Sequence, residues 1–519
     1  MSFIKSCIHS ITVPLYHIIY KSFATGVVPS QLKIAKVIPI YKNGDRLLPD
    51  NYRPISLLPN FSKIVEKIVC NRLSHFLESN NLLTPNQYGF RKEHSTIHPL
   101  MQFMNNLTRA TNLKQYSVAI FCDLRKAFDT VDHKILISKL SAIGVRGVAL
   151  NWFIDYLKNR KQFVYIDGVA SPLMDIILGV PQGSILGPLL FIIYINELPL
   201  YTSLLNYLFA DDTTLQYSHE NLNDLISLVN SEFKKVTDFF KSHRLALHPQ
   251  KTNFMIFNFK GGQFPQIFIN NNIGDSHDPA LLTPITCVNS LEKPVVKFLG
   301  VLIDPSLTFK FHITNVVSKL SRALFFLRKA KNFLNYKALK FIYYSLFHSH
   351  LIYAIQIYSS TNPNLLKQIF IKQKGAIRIL SNAKYNDHTE PLFKKQKILP
   401  FPQLCEFFRV QFMQRYVQNF LPISFINTWV TNRARRGDDA SIQLRDDDDF
   451  HIPRARTTLV SYHPLVLLPK TWESFPNGYI KFLRNKIEFN SELKKHYLDQ
   501  LSNEPICNRL LCPVCHLAR

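Results

Sequence analysis

At 519 residues, 46% of them apolar, the chain has material for about three domains with real cores. Its 62 Lys and Arg against 36 Asp and Glu leave a net charge of +26 and a pI near 9.6, which suits a polyanionic partner, nucleic acid before acidic membrane. The eight cysteines lack the spacing of a secreted disulfide scaffold, which points to a reducing compartment, and no signal peptide is evident.

Residues 2–24 read as an amphipathic helix ending near Gly26. Residues 35–41 read as a strand, followed by a polar turn at Asn43-Gly44-Asp45 and then Asn51-Tyr52-Arg53-Pro54-Ile55-Ser56, kept extended by its proline. In the stretch 62–78, apolar residues at 64, 65, 68, 69, 73, 76 and 77 line one helix face. The loop 84–91 offers aromatics beside a cation, a surface suited to bases and phosphates. Residues 117–122 form a short apolar strand leading into Asp123, and the helix 133–143 stops at Gly144.

The segments 161–166 and 173–177 flank Asp167-Gly168 as a hairpin. The tight loop Gly179-Val180-Pro181-Gln182-Gly183-Ser184 opens the longest apolar run, 185–195. That run is interrupted by Gly187 and Pro188 and falls short of the roughly 20 residues of a membrane span, so it reads as a buried helix and no membrane partner is expected. Next, apolar residues run up to Asp211-Asp212 and β-branched residues run away from them, as in a hairpin whose turn carries the polar groups. A long helix over 221–243 and strands over 251–259 and 296–303 complete an α+β pattern, a sheet carrying helices on one face.

Beyond it the pattern is helical. Between positions 306 and 386 stand 13 Lys or Arg and no acid, half of the net excess. Ile313, Val316, Val317, Leu320, Leu324 and Leu327 form a bundle-core stripe, and Lys319, Arg322, Arg328 and Lys329 supply a basic face beside it. In 387–519 the acidic run 446–449 reads as a linker. Cys507, Cys512, Cys515 and His516 are metal-ligand types without a recognised zinc spacing, and either zinc or plain thiols fit them.

Asp123, at a strand end, and Asp211 and Asp212, at a hairpin turn, can be neighbours in an antiparallel sheet. Three carboxylates meeting there would hold two Mg²⁺ ions, with Mn²⁺ as the alternative, about 4 Å apart for phosphoryl transfer. The Asp-Asp pair by itself also fits a solvated turn. Phe128 either presses on a nucleotide sugar and excludes a 2′-hydroxyl or fills a core. Gln182 and Gly183 offer an amide and a close backbone approach to a base pair. Lys251 is a general acid for pyrophosphate or a surface lysine. Lys42 and Arg53 are candidates to grip a triphosphate.

These stretches, in this order, resemble the reverse transcriptases of non-LTR, LINE-type retrotransposons, the jockey group among them. The resemblance rests on Ala35-Lys36-Val37-Ile38-Pro39-Ile40, Asn51 to Ser56, Asn86-Gln87-Tyr88-Gly89-Phe90-Arg91 and Phe121-Cys122-Asp123-Leu124-Arg125-Lys126-Ala127-Phe128-Asp129. It continues through Gly179 to Ser184, Phe209-Ala210-Asp211-Asp212, Leu247-His248-Pro249-Gln250-Lys251-Thr252 and Phe298-Leu299-Gly300-Val301, so that it covers roughly residues 20–303.

The resemblance implies a right-hand polymerase: fingers in 1–115, an antiparallel-sheet palm in 116–305, a helical thumb in 306–386 and a C-terminal extension over 387–519. It implies Asp123, Asp211 and Asp212 as catalytic metal ligands, Phe128 as the sugar-selecting ring, and an RNA template, a DNA primer or target DNA and dNTPs as partners. Nothing precedes the fingers, where such proteins commonly carry an endonuclease, so a truncated copy is expected. Nuclear or cytoplasmic residence fits, with Arg433, Arg435 and Arg436 as thin support for the nucleus. Two rivals stand beside this reading: an inactive relic that only binds RNA, and an RNA-dependent RNA polymerase on the same fold.

Overall fold

A helix opens the fold: α1 (Ile8–Thr25) ends on Gly26, whose φ of +71° suits glycine. The computed structural model describes residues 6–259, 265–269, 280–281, 283–284, 294–436, 449–476 and 478–501. Strand β1 (Ile34–Tyr41) pairs antiparallel with β2 (Tyr52–Leu57), and helices α2 (Asn60–Ser79) and α3 (Ile97–Asn112) follow. Then come β3 (Tyr116–Cys122), α4 (His133–Ala142) and α5 (Gly147–Leu157). Helix α4 starts where the Asp132 carboxylate accepts from the backbone of Lys134 and Ile135.

Strand β4 (Arg160–Ile166) lies parallel to β1 and turns at Asp167-Gly168 into β5 (Val169–Ala170). Both turn residues have positive φ, as a two-residue hairpin of this hand needs. The expected partner strand survives as β6 (Met174–Ile176), also paired with β4. Helix α6 (Gly187–Tyr194) is buried along its whole length.

Strands β7 (Leu205–Phe209) and β8 (Asp212–His219), helix α7 (Leu222–Ser242) and β9 (Asn253–Phe257) complete the second sheet, ordered β9–β3–β8–β7. Thr283–Pro284 adds a short parallel strand outside β9. Strand β3 is central, and its residues alternate between two cores as the pleat requires. Val118, Ile120 and Cys122 meet Phe254, Ile256 and the apolar sides of α6 and α7. Ala119 and Phe121 meet Met255, Phe257 and the Leu100, Phe103 and Leu107 face of α3. Helices therefore cover both faces, where the sequence pattern predicts one. The continuous apolar run of β3 is the signature of a strand buried on both sides.

The predicted strand 296–303 is two, β10 (Val296–Phe298) and β11 (Val301–Ile303), folded back at Leu299-Gly300, both at positive φ. A side chain at Gly300 would press on the Tyr353 ring at 3.1 Å. Helices α8 (Lys310–Ala330), α9 (Tyr336–Ile342), α10 (Pro363–Leu380), α11 (Phe401–Val417), α12 (Pro464–Ser474) and α13 (Lys486–Asp499) follow. Their buried residues, among them Leu320, Ile377, Leu404, Trp472 and Leu493, belong to the same core as α3 and Phe121. The helical region thus runs on from 310 to 499 without a break in its core at residue 386. Among the described residues no helix is long and apolar enough to cross a membrane. Cys507, Cys512, Cys515, His516 and most of the acidic run at 446–449 lie outside the described residues.

Candidate active site

Pairing in the central sheet decides which carboxylates meet. Antiparallel β3 and β8 run in register to Cys122 opposite Thr213, so Asp123 leaves the sheet beside Asp212. Phe209 pairs with Asp212, which makes Ala210 and Asp211 the two turn residues and Asp212 the first residue of β8. Only Asp211 of the pair is thus in the turn itself, a correction to the expectation that both acids occupy it.

The turn is clamped by the loop 86–91. Tyr88 N donates to Leu208 O at 2.8 Å and Leu208 N to Asn86 O at 2.9 Å. Gln87 Oε1 accepts from Ala210 N at 3.0 Å and Gly89 N at 2.8 Å. A Cβ on Gly89 would stand 2.3 Å from Ala210 N, so no side chain fits there. Tyr88 is buried and Arg91 is held by Glu78, with Nη2 2.6 Å from Oε2. The loop predicted to lie on bases instead buttresses the turn, although Phe90 remains exposed.

Burial and like charge both act on the three acids. Burial first, then the Asp123 charge, raises the pKa of Asp211 above the usual carboxylate range, against the pull of Arg53 and Lys42. Asp212 is pushed up to about 6 by burial of its carboxyl and by the charges of Asp211 and Asp123, although its side chain keeps an exposed edge. Among the described residues, no group of three or more His, Cys, Asp or Glu side chains is gathered closely enough to hold a metal ion. Asp123 faces Lys251, with 3.9 Å between Oδ2 and Nζ.

An open cleft of about 1380 Å³ runs from this corner to the first sheet, lined by Lys42, Arg53, Asp123, Phe128, Asp129, Gln182, Asp211 and Lys251 among others. Lys42 ends the β1–β2 hairpin, donating its backbone N–H to Asn51 O at 2.8 Å, and Arg53 lies on β2. Lys251 is not on a strand as expected. It sits in the turn before β9, where Lys251 N donates to His248 O at 3.1 Å. Phe128 is half-buried, with its ring 4.7 Å from that of Phe191, so it is both packed and cleft-facing.

The loop at 179–184 is stitched at both ends. Gly179 N donates to Val131 O and Val180 N to Phe128 O, each at 2.8 Å, and Ser56 N donates to Gln182 O at 2.7 Å. Gly183 has φ +121°, and a Cβ there would meet Ser56 O at 2.6 Å. Its backbone therefore packs against β2, while the residue itself is exposed beside Gln182. Two acids escaped the sequence reading. Asp129 accepts from the Gln182 amide, and Glu66, buried in α2, accepts from Ile185 N at 2.7 Å and Tyr156 OH at 2.9 Å. Asp129 adjoins Phe128 in a quoted motif, yet only the folded loop reveals its partner.

The profile of the family described as reverse transcriptase (RNA-dependent DNA polymerase) matches residues 40–303, more than half of the chain. The chain belongs to the reverse transcriptase family. Among curated relatives, the chain is 27% identical over 403 residues to the RNA-directed DNA polymerase from mobile element jockey of Drosophila melanogaster. That alignment spans 75% of this chain and 42% of the relative. It is 29% identical over 378 residues to the probable RNA-directed DNA polymerase from transposon BS of the same fly, spanning 69% of this chain and 39% of the relative. The chain thus spans about two fifths of the length of these relatives. A telomerase of Candida albicans, solved with a fragment of telomeric RNA, covers 72% of this chain and 66% of its own at 12% identity and a TM-score of 0.37.

Proposed function

We propose that the chain is an RNA-directed DNA polymerase of a LINE-type retrotransposon, extending a primer with dNTPs on an RNA template. The observation that carries this reading is the β3–β8 register that sets Asp123 beside Asp212, with Asp123 and Asp211 lining a basic-walled cleft. Membership of the family and the jockey and BS relatives support it. On this reading the β1–β2–β4 sheet belongs to the fingers (1–115 with β4 packed on it), the second sheet is the palm (116–305), and α8 to α10 form the thumb (306–386). Helices α11 to α13 extend the thumb core.

The donor set, carboxylates of which burial and then neighbouring acid charge raise two pKa values, suits hard divalent cations. Asp123, Asp211 and Asp212 would hold two Mg²⁺ ions, which supply Lewis-acid activation of a primer hydroxyl and neutralise charge on pyrophosphate. Lys42 and Arg53, on the opposite wall, hold the triphosphate by charge-assisted bonds. Lys251 stands on the Asp123 side, placed to protonate pyrophosphate as it leaves. The Phe128 ring, braced by Phe191, closes the space a 2′-hydroxyl would need.

Primer extension by the purified protein, with D211N as control, tests the reading. Incorporation that requires the Asp211 carboxylate and prefers dNTPs to NTPs supports it. Activity surviving D211N overturns the assignment of the acids, and a preference for NTPs overturns the choice of product.

A further inference from the structure

Helices α11, α12 and α13 share a core through Leu404, Leu468 and Leu493, yet they leave a cavity of about 360 Å³ between them. That volume lies in the range of small-ligand sites. Glu406 and Arg409 line it from one face of α11, a helical turn apart, and Lys470 and Thr471 line it from α12. Arg409 is held in place by Ser359, whose Oγ accepts from Nη2 at 2.9 Å, while its Nε is buried without a partner. Burial raises the pKa of Glu406, against the Arg409 charge and the Tyr497 hydroxyl, although the residue keeps an exposed edge. Among the described residues Glu406 and Arg409 form no ion pair with each other. A carboxylate and a guanidinium N–H thus open onto one cavity, each with bonding capacity to spare, and a buried donor left unmade is costly. The remaining wall is aromatic: the Phe475 ring stands 5.0 Å from that of His496 and 6.2 Å from that of Tyr497.

We propose that this cavity captures one unpaired guanine of an RNA strand, at a site separate from the polymerase cleft. None of its lining residues lines that cleft. The strand is the template of the reading above, and the inference rests on that reading for the source of the RNA alone. Guanine sets one acceptor, O6, beside two donors, N1–H and N2–H. The Arg409 Nε donates to the first, and the Glu406 carboxylate accepts from the other two as a bidentate partner. Other bases break this match. Adenine and cytosine place an acceptor ring nitrogen beside their amino group, and uracil holds its one ring N–H between two carbonyls, so a carboxylate oxygen meets an acceptor in each. The aromatic wall covers the apolar surface of an unstacked base. Lys470, exposed at the mouth, meets the phosphate, and the net charge of +26 favours a polyanionic strand over a small zwitterion.

The test measures binding of short, labelled oligouridines to the full chain by fluorescence anisotropy, each strand carrying one central guanine, inosine, adenine or uridine. Wild type should bind the guanine strand about tenfold more tightly than the adenine or uridine strand, the weight of hydrogen bonds to a charged group. Inosine keeps O6 and N1–H but lacks the 2-amino group, so its strand should fall between them. E406Q should erase most of the guanine preference. K470A should weaken all four strands alike and leave their ratio in place, as a phosphate contact does. The base series on wild type carries the test should a variant not fold. Four strands bound equally by wild type overturn the pocket, as does inosine bound as tightly as guanine or a guanine preference of full size in E406Q. Loss of the preference in a protein that extends primers defeats this inference alone. A guanine preference that disappears with E406Q in a protein that extends no primer upholds the pocket and defeats only the polymerase reading.

Discussion

Replacing Asp212 with Asn removes one of three charges that the fold holds together. The carboxyl rises from an ordinary 3.8 to about 6, with burial the largest cause and the Asp211 and Asp123 charges next. Taken at face value, that rise is about 3 kcal/mol of cost to the ionised folded state. The exposed edge of the side chain lets solvent screen it, which leaves about 1 kcal/mol. A carboxyl whose folded pKa is raised gives no penalty while it is protonated in both states. Its penalty grows as pH rises from about 4 and is complete above about 6. D212N should therefore match wild type near pH 4 and be about 1 kcal/mol more stable at pH 8, measured by denaturant titration in EDTA. Added Mg²⁺ should reverse the order, because the cation stabilises wild type through a carboxylate that the variant lacks. Equal stabilisation by D212N at both pH values, or a Mg²⁺ response identical in the two proteins, would refute the view that these acids are a cation site held under strain.

F128V should admit ribonucleotides in primer extension and, because the ring packs on Phe191, lower stability by about 1–3 kcal/mol. G183A should lose roughly 1–3 kcal/mol from its φ of +121° and its clash with Ser56 O, and should raise the KM for dNTP as the loop shifts, read by denaturation and steady-state kinetics. K251A should reduce kcat by about a hundredfold with little change in dNTP KM, in single-turnover assays, if proton donation to pyrophosphate is its role. The Mg²⁺ affinity of wild type should weaken as pH falls through about 6, read by titration calorimetry, because Asp212 must lose its proton to bind.

Local pattern carried much of the fold. Apolar runs placed β3, β7 and α6, the pattern over 221–243 placed α7, and Asp167-Gly168 placed the β4–β5 turn. It failed where the deciding contact is remote in sequence. Val296 to Ile303 is apolar enough for one strand, and only the fit of Gly300 beneath Tyr353 shows the fold-back. Tyr88 and Arg91 carry the chemistry of a nucleic-acid loop, yet the hydrogen bonds of residues 86–89 to the strand turn and the Glu78 carboxylate consume them. Helix α11 buries Leu404, Val410 and Met413 on different sides, so it shows no single apolar stripe, and residues beyond 387 could not be read as helical.

The same limit applies to the site, where identity and orientation part company. Asp123, Asp211, Phe128, Gln182, Lys42, Arg53 and Lys251 were all nameable from their motifs, and all line one cleft. What a motif does not encode is which atom each presents. Gln182 offers two hydrogen-bonding ends of opposite sense, and the sequence leaves both open. The nearest partner is a carboxylate 53 positions away, at Asp129, whose oxygens stand 3.0 and 2.9 Å from the Gln182 Nε2. At Gly183 the sequence likewise does not show the backbone packing, where a Cβ would stand 2.6 Å from Ser56 O.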